Sequence, residues 1–115
     1  MTIIIYHNPR CSKSRQTLSL IREQGHTPKI IEYLKEPLSV SEILNILSLL
    51  ELEPRAILRT KEETYKELNL SNSDLTVDQL VEAIANNPIL MERPIVINGN
   101  KAAIGRPPEK VLAIL

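Results

Sequence analysis

Cys11 is the chain's single cysteine, and it stands among groups able to act on it: Tyr6-His7-Asn8-Pro9-Arg10-Cys11-Ser12-Lys13-Ser14-Arg15. A thiol attacks as its thiolate, and a helix N-terminus or nearby cations lower its pKa below the free value of about 8.5. Arg10, Lys13 and Arg15 flank Cys11, and His7 lies four residues upstream. Cations in a helix's first turn oppose the helix dipole, so their clustering is unexpected unless an anion offsets them. A lone cysteine can also be a small buried apolar residue with solvated cations around it. Placement between a strand and a helix favours the reactive thiolate. His7 either hydrogen-bonds the loop or tunes the thiol directly. Two familiar motifs are excluded. The residue three beyond Cys11 is Ser14, so there is no Cys-x-x-Cys, and the arginine that a phosphatase loop needs six residues on is replaced by Thr17.

The elements that must position Cys11 can be read from pattern. Ile3-Ile4-Ile5-Tyr6 has the composition of a strand buried on both faces. His7-Asn8-Pro9-Arg10 breaks it, and a helix over about Ser12 to Gln24 follows, with Leu18 and Ile21 at i, i+3 spacing and Gly25 as its stop. Lys29 to Tyr33 reads as a second strand, completing β-α-β and favouring a parallel pair. Ser39-Val40-Ser41-Glu42 is a capping box before the apolar positions Ile43, Leu44, Ile46, Leu47 and Leu50. Thr60-Lys61-Glu62-Glu63 and Thr76-Val77-Asp78-Gln79 repeat that signature and predict helices ending near Asn69 and Asn87. Pro94 to Ile97 and Lys101 to Ile104 flank Asn98-Gly99, a strong hairpin signal. Pro107-Pro108 opens a short terminal helix through Val111, Leu112 and Leu115. The expected fold is α/β, a thioredoxin-like four-stranded mixed sheet flanked by helices. A helical insertion at approximately 38–90 separates its βαβ and ββα halves within a single domain spanning 1–115.

Composition bounds the rest. One domain accommodates 115 residues, and with three tyrosines and neither Phe nor Trp the core must be aliphatic. Fourteen basic residues balance fourteen acidic ones, which removes the electrostatic reason to expect a nucleic-acid partner. The start has no basic region or long apolar run of the signal-peptide kind, and no stretch approaches the ~20 apolar residues of a membrane span. One cysteine cannot close an internal disulfide, which suits a reducing compartment, so a cytoplasmic protein without membrane attachment is expected. Two histidines and one cysteine make no zinc spacing, and no bound metal or cofactor is expected.

From His7-Asn8-Pro9-Arg10-Cys11 onward the sequence resembles the glutaredoxin-coupled, glutathione-dependent arsenate reductases. The likeness continues in Arg55-Ala56-Ile57-Leu58-Arg59, Asn87-Pro88-Ile89-Leu90, Arg93-Pro94-Ile95-Val96 and Ile104-Gly105-Arg106-Pro107. The resemblance implies that Cys11 is the nucleophile, that His7 and Ser14 favour its thiolate, and that Arg59, Arg93 and Arg106 hold the oxyanion. It also implies a cis Arg93-Pro94 bond. The implied partners are arsenate, glutathione as co-substrate and glutaredoxin, acting on a monomer. Related branches include Spx-type regulators of RNA polymerase, many with the Cys-x-x-Cys that is missing here, and general glutathione-dependent thiol reductases. Each arginine also has a plainer reading; Arg59, for instance, would be favourable at the end of an apolar helical turn without any ligand.

Overall fold

In a computed structural model describing residues 2–115, the chain forms two units: residues 2–36 with 93–115, and Pro37–Glu92. The first is built on a sheet. Its strands are β1 (Ile3–Tyr6), β2 (Lys29–Ile31), β3 (Ile95–Asn98) and β4 (Lys101–Ile104), in the order β2-β1-β3-β4. β1 runs parallel to β2, with Ile5 opposite Ile30, and antiparallel to β3, with Ile5 opposite Val96; β3 and β4 form an antiparallel hairpin. Asn98 pairs with Lys101, so Gly99 and Asn100 make the two-residue turn, and Gly99 takes the positive φ of 63° that such a turn requires.

Helix α1 (Ser12–Glu23) buries Ser14, Thr17, Leu18 and Ile21. Leu18 and Ile21 join Ile3, Ile5, Val96 and Val111 in one aliphatic core, where each large side chain removed from water contributes about 1.5–3 kcal/mol. The segment Pro108–Ile114 packs on α1 and β4, but as a 3-10 helix, a form that the proline-led start suits equally well. The second strand is shorter than expected. It ends at Ile31, and Tyr33, only 1% exposed, lies in the turn that follows.

The second unit is helical: α2 (Val40–Leu50), α3 (Glu63–Glu67) and α4 (Val77–Asn86), with 3-10 turns at Pro54–Ile57 and Pro88–Leu90. Ile43, Ile46 and Leu47 of α2 are buried, as are Leu80, Val81 and Ile84 of α4, and the two helices pack together. Leu44, expected on the buried face, is 39% exposed. Two of the three expected capping boxes form. Ser39 Oγ accepts the Glu42 N–H and Glu42 Oε1 accepts the Ser39 N–H, both at 3.1 Å, and Thr76 with Gln79 repeats the exchange at 3.2 and 2.8 Å. The third does not form. α3 begins at Glu63 with Glu62 at its N-cap and no side-chain cap, because the chain is still turning at Thr60 and Lys61, where the Glu62 N–H bonds the Arg59 carbonyl. α3 ends two residues before Asn69, which adopts φ 53°. Among the described residues no helix is long and apolar enough to cross a membrane.

Candidate active site

Cys11 is the N-cap residue of α1, with extended backbone angles (φ −92°, ψ 122°) and no capping hydrogen bond from its side chain. Its N–H donates to the Asn8 carbonyl and its own carbonyl accepts the Arg15 N–H, both at 3.0 Å. The turn is pinned further: Asn8 Oδ1 accepts the Arg10 N–H at 3.0 Å, and Arg15 Nη1 donates to the Pro9 carbonyl at 2.9 Å. The thiol therefore sits over the open start of a helix whose first N–H groups have no intrahelical acceptor.

Burial pushes the Cys11 thiol up, but opposing groups win and hold its pKa below the ordinary value: the Ser14 N–H, the Arg93 guanidinium through both a hydrogen bond and its charge, and the Lys13 N–H. Arg106 adds a second guanidinium, with Nη2 3.5 Å from Sγ, and its Nε donates to the Arg93 carbonyl at 2.8 Å. The cations at the thiol thus come from the far end of the chain. Arg10, Lys13 and Arg15, which the sequence places beside Cys11, are exposed, and Lys13 contributes its backbone N–H rather than its ammonium.

His7 does not bond the thiol. Its Nδ1 lies 2.7 Å from Ser14 Oγ, which also accepts the Asn8 N–H at 3.0 Å. Burial lowers the His7 pKa; Glu32 opposes that shift, while Arg22 and Arg15 reinforce it, so the ring is neutral near neutral pH. Ser14, fully buried, therefore links His7 to the turn that carries Cys11.

Arg59 belongs to the helical unit, after the 3-10 turn Pro54–Ile57. Its N–H bonds the Leu90 carbonyl, its Nη1 lies 3.0 Å from Glu92 Oε1, and its Nε lies 3.8 Å from Glu62 Oε2. Arg93-Pro94 is cis, as the resemblance implies, and so is Arg106-Pro107. No group of three or more metal-ligating side chains occurs among the described residues.

Residues 6–114 match the ArsC family. The chain belongs to it. It is 53% identical to an arsenate reductase of Haemophilus influenzae over 116 residues, covering 100% of both chains. It is 50% identical over 112 residues to the uncharacterized protein YfgD of Escherichia coli, covering 96% of this chain and 94% of that one. Among solved structures, the arsenate reductase from Vibrio cholerae shares the fold with a TM-score of 0.98 at 52% identity, over 100% of this chain and 98% of that one. The four-stranded mixed sheet flanked by helices is the thioredoxin-like fold of these ArsC structures.

Two neighbours of this ArsC site, Gly105 and Thr17, pack in a way that the sequence does not spell out. A Cβ on Gly105 would stand 2.5 Å from Thr17 Oγ1 and 2.8 Å from Pro94 Cγ, so only glycine fits between α1 and the cis-proline loop. Thr17 is fully buried, with Oγ1 donating to the Lys13 carbonyl at 2.8 Å. Gly105 thereby lets the residue after it, Arg106, reach the thiol. The only sign in the sequence was the run Ile104-Gly105-Arg106-Pro107 itself, which joins a glycine to the arginine without naming what it packs against.

Proposed function

We propose that the chain is an arsenate reductase working through Cys11 alone, with glutathione as co-substrate and glutaredoxin as the protein that regenerates it. The observation that carries this reading is a depressed-pKa thiol at an uncapped helix start, faced by two guanidinium groups. Relatives named arsenate reductase, at 53% and 48% identity over nearly the whole chain, support it. Guanidinium groups keep their charge and offer paired donors to tetrahedral oxygens, so Arg93 and Arg106 can bring two anions, thiolate and arsenate, together. For Arg59 the proposed oxyanion role rests on the motif resemblance, and its contacts with Glu92 and Glu62 would have to be exchanged for substrate.

The Cys11 thiolate attacks arsenic(V), forming an S–As bond as a protonated arsenate oxygen leaves as water. Glutathione then attacks Cys11 Sγ. An S–S bond forms, the S–As electron pair stays on arsenic, which becomes arsenic(III), and the thiol proton ends on an arsenite oxygen. A chain with one cysteine cannot supply both electrons by closing its own disulfide, so the product is a glutathione–Cys11 mixed disulfide, which glutaredoxin reduces by thiol exchange. These steps call for no bound cofactor.

The test is arsenate-dependent NADPH oxidation with glutathione, glutathione reductase and glutaredoxin. Turnover is expected only with all components present, and leaving out glutaredoxin should stall the protein with one glutathione on the Cys11 peptide by mass spectrometry. Rapid turnover with thioredoxin and no glutathione would overturn the single-thiol route.

A further inference from the structure

We propose that a recess beside the Cys11 turn receives the γ-glutamyl arm of glutathione; the inference rests on glutathione being the electron donor, as above. A cavity of about 230 Å³ is lined by His7, Asn8 and Arg10 from the β1–α1 turn and by Glu32, Leu34 and Lys35 from the segment after β2. It is built on the turn that carries the reacting thiol: the Asn8 carbonyl holds the Cys11 N–H at 3.0 Å, and Cys11 directly follows Arg10. The volume lies below that of ordinary whole-ligand pockets, roughly 300–1,000 Å³. It suits one arm of a tripeptide whose thiol extends beyond it.

The charges select which arm. The γ-glutamyl end of glutathione carries an ammonium and a carboxylate on the same carbon; the glycyl end carries a carboxylate alone. Its lining residues include two cations, Arg10 and Lys35, and one carboxylate, Glu32. The zwitterion can set its ammonium against Glu32 and its carboxylate against Lys35 or Arg10, whereas the glycyl end offers Glu32 no partner. Lys35 Nζ and Glu32 Oε1 face each other at 3.6 Å with side chains 81% and 39% exposed. Such an exposed pair contributes little and is readily exchanged. Leu34, 43% exposed, supplies an apolar wall for the arm's methylene groups. Half of the recess comes from the turn that also fixes Cys11, so an arm bound there tethers the incoming sulfur beside Sγ.

The test omits arsenate. The reduced protein is mixed with glutathione disulfide, and the Cys11 thiolate displaces one glutathione thiolate as the mixed disulfide forms. Each rate is divided by the rate with 2-hydroxyethyl disulfide, which cancels changes in the thiolate itself. Lys35→Glu should lower the glutathione ratio about two- to fivefold, the size expected of an exposed ion pair, and Lys35→Arg should restore it. Glu32→Gln provides the decisive sign. It removes a negative charge, yet it should slow the anionic glutathione disulfide while speeding a glutaryl analogue that lacks only the amino group. If Glu32→Gln speeds both disulfides, the recess is only a diffuse field and the proposal is overturned; no effect of Lys35→Glu overturns it as well. A chain that shows this pattern but does not reduce arsenate refutes the arsenate reading alone. A chain that reduces arsenate with glutathione but is indifferent to both substitutions refutes the recess alone.

Discussion

In the helical unit, α2 and α4 each start on a complete capping box with an acidic residue, Glu42 or Asp78, in the first turn. In the sheet unit, α1 starts on Cys11 with no side-chain cap and no acid in its first turn. The first arrangement occupies N–H groups that a helix start leaves free, and sets a negative charge where the dipole favours one. The second leaves that role to a thiolate. The two units also divide the chain's charge. The sheet unit carries ten basic and four acidic residues, the helical unit four and ten, although the whole chain is neutral. The same local physics serves stability in one place and, under the proposed function, reactivity in the other.

The largest effect that would sharpen this contrast is Cys11→Ser. A serine hydroxyl stays protonated at neutral pH, so arsenate reduction should vanish while the protein still unfolds cooperatively; residual reduction in the coupled assay would break the mechanism. Next come Arg93→Ala and Arg106→Ala. Each removes a charged donor worth about 1.5–3 kcal/mol, so arsenate kcat/KM should fall roughly ten- to a hundredfold, with partial recovery in the lysine variants.

The thiol's own titration gives a third measurement. Iodoacetamide should react with an inflection below about 8.5, and Arg93→Ala should move that inflection upward because it removes both a hydrogen bond and a charge. The sign extends to stability. A thiol whose folded pKa lies below its unfolded value stabilises the fold fully above the unfolded value, and that contribution is lost as pH falls through the folded one. The stability gap between wild type and Cys11→Ser in urea should therefore widen from acid to alkaline pH. A gap that narrows would contradict the depressed thiol.

Gly105→Ala should cost about 1–3 kcal/mol of stability by overpacking, since the new methyl meets Thr17 Oγ1 and Pro94 Cγ. Combining it with Thr17→Ala should recover part of that loss, a coupling that a double-mutant cycle in urea measures. The smallest effect belongs to the helical unit. Ser39→Ala and Thr76→Ala should each lower stability by about 1 kcal/mol, read as a lower urea midpoint with arsenate turnover per folded molecule unchanged. A turnover loss there would dissolve the distinction between the two kinds of helix start.

What could be read from sequence followed the range of the interaction. The strand–Cys11–helix passage and the boxes at Ser39 and Thr76 depend on residues a few positions apart, and they form as read. The similar string at Thr60 fails because the same residues also serve a turn, in which Glu62 approaches Arg59 instead of capping α3. The sequence sets cations beside the thiol, but those that face it come from elsewhere: Arg106 is 95 positions away along the chain. Only the motif resemblance pointed to Arg93 and Arg106. The Arg59–Glu92 pair, the His7–Ser14 bond and the Thr17–Gly105 approach are matters of tertiary placement, which periodicity does not encode.

β2, at the border of the sheet, has a further consequence. A border strand exposes unpaired backbone groups onto which another molecule's strand can zip, the starting point of fibrous aggregation. Here it is three residues long and opens on a lysine, with Ile30 as its only large apolar side chain exposed beyond a third. An intruding strand would gain few hydrogen bonds and would have to neutralise that ammonium. The fold thus carries its own guard against polymerisation at that border, in a chain whose zero net charge gives it little protection from mutual repulsion.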